Sequence, residues 1–129
     1  MPATFPESVE HLLNAARDTI RNAPFFWVVT AVDPGAGGGA NARIVNARPR
    51  LPGDGFWIRW FLTPRAGRKA AEIKRTMYAT LAYQDGSGNA FVTLVGTAEV
   101  IDDRHEVNSR FRGSRRPAAR LGPPPRLTT

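Results

Sequence analysis

The sequence predicts a mainly β domain with flanking helices, closed as a small barrel or a curled antiparallel sheet. Three observations predict it: runs of β-branched and aromatic residues of strand length, short turns marked by glycine and proline between them, and stretches of helical periodicity at the flanks. From about Glu7 to Asn22, Val9, Leu12, Leu13, Ala16 and Ile20 recur at helical spacing, with Glu10, Asn14, Arg17 and Arg21 between them. Pro24 stops this helix, and Phe25 to Val32 follow as a strand. A glycine-rich loop, Asp33 to Asn41, leads to a second strand, Ala42 to Arg48. A turn around Pro52, Gly53, Asp54 and Gly55 precedes a third, Phe56 to Thr63, and short connections of this kind predict an antiparallel meander. Helical spacing of Ala70, Ile73 and Met77 marks a second helix over about Gly67 to Met77. The chain returns as Tyr78 to Tyr83, turns through Asp85, Gly86, Ser87, Gly88 and Asn89, and leaves as Phe91 to Ile101. About five strands and two or three helices result, and closing the sheet protects its edges.

Composition narrows the class. The chain has 129 residues, 42% of them apolar and 22% charged, which suits one folded domain. It has no cysteine, so disulfides, thiolate metal sites and a cysteine nucleophile are excluded. No apolar run is long enough to span a bilayer, and the N-terminus lacks a basic segment followed by an apolar one. A cytoplasmic protein without a membrane partner is the expectation.

The net charge of +7 is concentrated at one end. Residues 1–103 are nearly neutral, whereas residues 104–129 carry Arg104, Arg110, Arg112, Arg115, Arg116, Arg120 and Arg126 against Glu106 alone. With Pro117, Gly122 and three consecutive prolines at 123–125, this stretch beyond a short helix reads as an extended, weakly packed arm. Such an arm can bind polyanions through phosphate contacts, but a solvated basic terminus explains it more simply.

Several motifs are weaker than they look. Gly35 to Ala40 satisfies the dinucleotide pattern G-x-G-x-x-G/A, yet β-branched Ile44 and Val45 and then Pro49 follow it instead of a helix, so a hairpin loop is the better reading. His11 and His105 lie in predicted helices without i, i+4 partners, and no metal site is expected. Ser87 sits in a turn rather than in a nucleophile elbow. Trp57, Trp60 and the aromatic run at residues 25–27 read as core before they read as a stacking platform.

The stretch Thr63, Pro64, Arg65, Ala66, Gly67, Arg68, Lys69 stands apart, because it sets three cations at a strand-to-helix junction. Cations are disfavoured at a helix N-terminus by a few tenths of a kcal/mol to about 1 kcal/mol. A bound phosphate reverses that balance, since it accepts from first-turn N–H groups and pairs with Arg68 and Lys69 through bonds contributing about 1.5 to 3 kcal/mol each. The alternative at this point is a solvated basic helix start.

Three segments together resemble the pyridoxamine 5′-phosphate oxidase-like family of FMN-binding split barrels: Ala42 to Arg48; Phe61, Leu62 and Thr63 with Arg68, Lys69 and Ala70; and Phe91 to Ala98. The run Gly96, Thr97, Ala98 through Asp103 is similar to the general-stress-protein branch. The resemblance implies an antiparallel split β-barrel over residues 1–103, with residues 104–129 as a short helix and an Arg/Pro-rich arm. It also implies a homodimer holding FMN, or another flavin or a deazaflavin, in a groove between subunits. Carried over residue by residue, the family's cofactor contacts fall on Arg43, Ile44, Val45, Asn46 and Arg48, on Leu62 and Thr63, and on Arg68 and Lys69 as the phosphate pair. The implied activity is that of a flavin-dependent oxidoreductase with a nicotinamide nucleotide as a candidate reductant, or else that of a flavin-binding stress protein without turnover. Phe91 stands where the oxidase branch carries a glutamine, and the match fades after Phe111, which implies a reaction other than pyridoxamine-phosphate oxidation.

Overall fold

The computed structural model describes residues 5–46, 55–63, 67–111 and 116–122. Its elements, in chain order, are α1 (Phe5–Asn22), β1 (Phe25–Ala31), a 3-10 turn (Pro34–Ala36), β2 (Ala40–Asn46), β3 (Arg59–Leu62), α2 (Arg68–Thr76), β4 (Tyr78–Gln84), β5 (Phe91–Ile101), α3 (Arg104–Arg110) and β6 (Ala118–Leu121). All ladders are antiparallel, and the sheet order is β2-β1-β4-β5-β6-β3.

Alternation decides which way β1 and β4 face. In β1, Phe26, Val28 and Thr30 point inward, and in β4 so do Ala79, Leu81 and Tyr83. The β4–β5 hairpin turns on Asp85, whose Oδ1 accepts from the Ser87 hydroxyl at 2.7 Å and from the N–H groups of Ser87 and Asn89 at 3.1 and 3.2 Å. The Ser87 hydroxyl bond, followed by the backbone donors, holds the Asp85 carboxyl below its ordinary range.

Two expectations are corrected. The strands number six among the described residues, because Ala118–Leu121, inside the stretch expected to be a weakly packed arm, forms β6 with all four residues buried. The first three strands are also no meander, since β3 pairs with β6 and not with β2. Both differences have one cause: a four-residue strand buried on both faces has no alternation to read, and Pro117 and Gly122 at its ends look like loop residues.

β5 joins the two halves of the sheet. Its residues Phe91 to Thr97 pair with β4, and Ala98 to Ile101 pair with β6. At the changeover a Cβ on Gly96 would be in ordinary contact with the Leu121 side chain, 3.4 Å from its Cγ. Gly122 then closes the strand at φ 115°, where a Cβ would lie 3.1 Å from Ile58 Cγ1.

The sheet curls until β1 and β3 face each other across the core. β1 and β3 are four places apart in strand order, about 19 Å in a flat sheet at ~4.8 Å per strand. Yet the Phe26 and Phe61 rings pack edge to face with centroids 6.0 Å apart. Ile20, Ala23, Ile73, Leu81, Tyr83 and Leu121 complete this core. Burial pushes the Tyr83 hydroxyl up to about 12, with Arg59 opposing, so the core carries no tyrosinate near neutral pH. A smaller cluster, Val107, Phe111 and Ala118 with Trp60, Leu62 and Ile101, lies under α3. Because Phe61 is fully buried at the closure, Phe61→Ala is expected to cost about 3–5 kcal/mol in urea unfolding. A loss below about 1 kcal/mol would show that the curl is held elsewhere.

Candidate functional site

The site grows from α2 and the strands on which it sits. Gly67 is the N-cap and offers no side-chain acceptor, the first turn has no acidic residue, and Arg68 and Lys69 open the helix. One face of α2, through Ala70 and Ile73, enters the core. Lys69 lies on the buried side at 6% exposure, and its ammonium sits 5.3 Å from the centre of the Phe61 ring. Arg68 is exposed. The two cations expected to act as a pair therefore face different surroundings, because consecutive helical residues are about 100° apart.

Arg43 faces Lys69. It lies opposite Val28 in the β1–β2 ladder, on the inward side of an edge strand, and its Nη1 is buried without a hydrogen-bond partner. Thr63 follows Phe61 by two residues on β3's run, is fully buried, and donates its N–H to the Pro117 carbonyl at 3.0 Å. Its hydroxyl also has no partner. Burial, then the Arg43 guanidinium, then Arg116, holds the Lys69 ammonium below the ordinary lysine value of 10.5. Among the described residues no carboxylate pairs with Arg43 or Lys69. A partnerless buried donor costs about 1–3 kcal/mol, and adjacent like charges add to that. An anion that accepts from all three groups would remove these costs together.

The other expected residues fall into place around this cluster. Val45 packs against the core opposite Phe26, whereas Ile44 points to the outer face and is 54% exposed. Asn46 pairs with Phe25 at the end of the ladder. Leu62 turns away from Thr63 and packs under α3. Arg48 lies outside the described residues.

Sequence reasoning passed over Arg116 and Glu72. Arg116 is distant in sequence and comes near Lys69 through the β3–β6 pairing. Glu72 sits one turn after Lys69, the i, i+3 relation that puts both on the same helix face, and that spacing is the signal that could have found it.

Among the described residues of the C-terminal stretch, Arg104, Arg110 and Arg120 are engaged within the fold. Arg120 is buried and ion-paired with Glu99, its cross-strand partner. Arg104 donates to Asp102 and to the Arg116 carbonyl, and Arg110 lies 4.1 Å from the centre of the Trp60 ring. Arg112, Arg115 and Arg126 lie outside the described residues. Among the described residues no group of histidine and acidic side chains could hold a metal, and no helix is long and apolar enough to cross a membrane.

The outer sheet face is unusually apolar. The ladders set Phe25, Trp27, Ile44, Tyr78, Phe91 and Val95 on this side, each between 37% and 73% exposed. Residues Arg43 and Ile44 thus alternate between the cation cluster and this face on a single strand.

No protein-family model and no curated protein matches the chain. Solved structures match its fold. A protein related to general stress protein 26, of the pyridoxinephosphate oxidase family, from Clostridium acetobutylicum is similar with a TM-score of 0.67 and 20% identity, covering 86% of this chain and 82% of that one. General stress protein 26 from Bacillus anthracis matches with a TM-score of 0.64 and 10% identity, over 88% and 89%. A pyridoxamine 5′-phosphate oxidase-related, FMN-binding protein from Nostoc punctiforme matches with a TM-score of 0.53 and 20% identity, covering 84% of this chain and 54% of that one, so this chain spans about half its length. The fold is the split barrel that the sequence resemblance implied.

The depressed Lys69 ammonium makes a prediction with a definite sign. The folded protein holds this proton less tightly than the unfolded chain, so stability is penalised near neutral pH and regained as pH rises through the folded value toward 10.5. Lys69→Met is expected to stabilise the ligand-free protein by about 1 kcal/mol at pH 7 in urea unfolding. That advantage should shrink as pH approaches the ordinary lysine value. An advantage that is absent or independent of pH would contradict the electrostatic account.

Proposed function

We propose that the protein binds FMN, with the phosphate received by Arg43, Thr63 and Lys69 at the start of α2, and that it works as a homodimeric flavin-dependent oxidoreductase. The observation that carries this reading is the set of half-buried Arg43, buried Lys69 and the buried Thr63 hydroxyl, with no acidic counterpart among the described residues. The residues fit a phosphate, because it offers several acceptor oxygens and negative charge to the partnerless Arg43 and Thr63 donors and to Lys69 in the opening turn of α2. Likeness in fold to a protein named as FMN binding supports the same reading.

When bound, the flavin supplies the redox chemistry, and the chain's task is to hold and orient it. Arg43 and Lys69 neutralise the phosphate, and the Thr63 hydroxyl donates to one of its oxygens. As a sheet edge, β2 has backbone groups on its outer side available to a polar ring edge. Ile44, Val45 and Asn46 are the residues of this stretch, with the exposed Arg68 as a further contact. The apolar outer face supports a homodimer through β1, β2, β4 and β5, which would bury Trp27, Ile44 and Val95 and set two cofactor grooves beside the interface.

Adding FMN to the purified protein is expected to quench flavin fluorescence and raise the thermal midpoint. Arg43→Met and Lys69→Met should each weaken FMN binding roughly 10- to 100-fold, with a smaller loss for Arg68→Ala. Absence of quenching in the wild type would overturn the proposal. Oxidation of NADH or NADPH by the loaded protein separates turnover from simple flavin carriage. Trp27→Glu with Val95→Glu should convert a dimer to a monomer by light scattering, and unchanged mass would place any interface elsewhere.

A further inference from the structure

One buried carboxylate near the cluster touches none of its cations. Glu72, 9% exposed, accepts from the Thr30 hydroxyl at 2.6 Å and from Asn41 Nδ2 at 2.9 and 3.2 Å. Thr30 and Asn41 are directly opposed in the β1–β2 ladder, so this side chain ties α2 to both strands at one rung. Its position in each element matters. Asn41 lies two residues before Arg43 and on the same face of β2, and Glu72 lies one helical turn after Lys69 on the same face of α2. A second tie, Arg75 Nη2 to the Ala31 carbonyl at 2.9 Å, holds the far end of the helix.

Arg43 and Lys69 repel, and among the described residues no acid pairs with either to set their spacing. Something else must fix the gap. Resting on the FMN reading, we propose that Glu72 is a positioning residue, which through Thr30 and Asn41 sets the separation of Arg43 and Lys69 and thereby the selection of phosphorylated over unphosphorylated flavin. A carboxylate suits the task because it only accepts, and all the groups aimed at it donate. Spending its charge on neutral donors leaves both cations for the ligand.

The test compares FMN with riboflavin, which has the same ring and no phosphate. Wild-type protein should bind FMN far more tightly. Glu72→Ala should weaken FMN about tenfold while leaving riboflavin unchanged, since misplacing a positioned group by ~1 Å can cost up to about a hundredfold. Glu72→Gln keeps the shape and one acceptor for Thr30, and its amide can pair with a turned-over Asn41, so it should recover FMN binding to within about threefold. Asn41→Ala removes the link to β2 from a partly exposed position, gives the same selective loss, and serves if Glu72→Ala does not fold. A loss shared equally by FMN and riboflavin, an unchanged ratio, or a Glu72→Gln protein as weak as Glu72→Ala overturns the positioning role alone. A wild type that does not prefer FMN overturns the phosphate reading and the positioning role with it.

Discussion

Placing a lysine and an arginine within electrostatic reach of each other in a half-closed interior, with no acid paired to either among the described residues, is the constraint around which this molecule is arranged. The body of the fold must hold those charges together against their repulsion. It does so with apolar burial: Ala70 and Ile73 anchor α2, and Phe61 closes the barrel beneath the Lys69 ammonium. Burial of this kind offers a few kcal/mol per large side chain, enough to outweigh two partnerless donors and one repulsive pair. The cluster is thus stabilised by its surroundings and destabilised by its own contents, a pattern common where a site is shaped for something that arrives later.

Much of the architecture can be read from period and punctuation. β1, β4 and β5 alternate, so their boundaries are legible to within a residue or two, and the Asp85 turn announces the hairpin between the last two. The cation-rich opening of α2 is equally visible, because it breaks the usual preference for acids at a helix start. What escapes is information that depends on distant pairing. β6 has no alternation, β3's partner lies far downstream, and Arg116 reaches Lys69 only once those two strands have met.

Side-chain direction is the other gap. Arg68 and Lys69 are neighbours in sequence with the same charge, and nothing local says that one would face water and the other the core. Only the seating of α2, decided by Ile73 and by the Glu72 ties to β1 and β2, settles it. On β2 the same logic separates Arg43 from Ile44 with the certainty of a two-residue period. Strand periodicity carries direction across a sheet, while a short helix carries it only relative to whatever it packs upon.

The insertion of β6 between β5 and β3 bears on the order of events during synthesis. β3 leaves the ribosome before α2, β4 and β5, yet its ladder partner emerges only after all of them. Until then Trp60 and Phe61 sit on a strand with no hydrogen-bonded neighbour, while the β1–β2 and β4–β5 hairpins can already have formed. A chain made only as far as β5 would therefore have an open barrel, and the docking of the four residues of β6 is the event that shuts it.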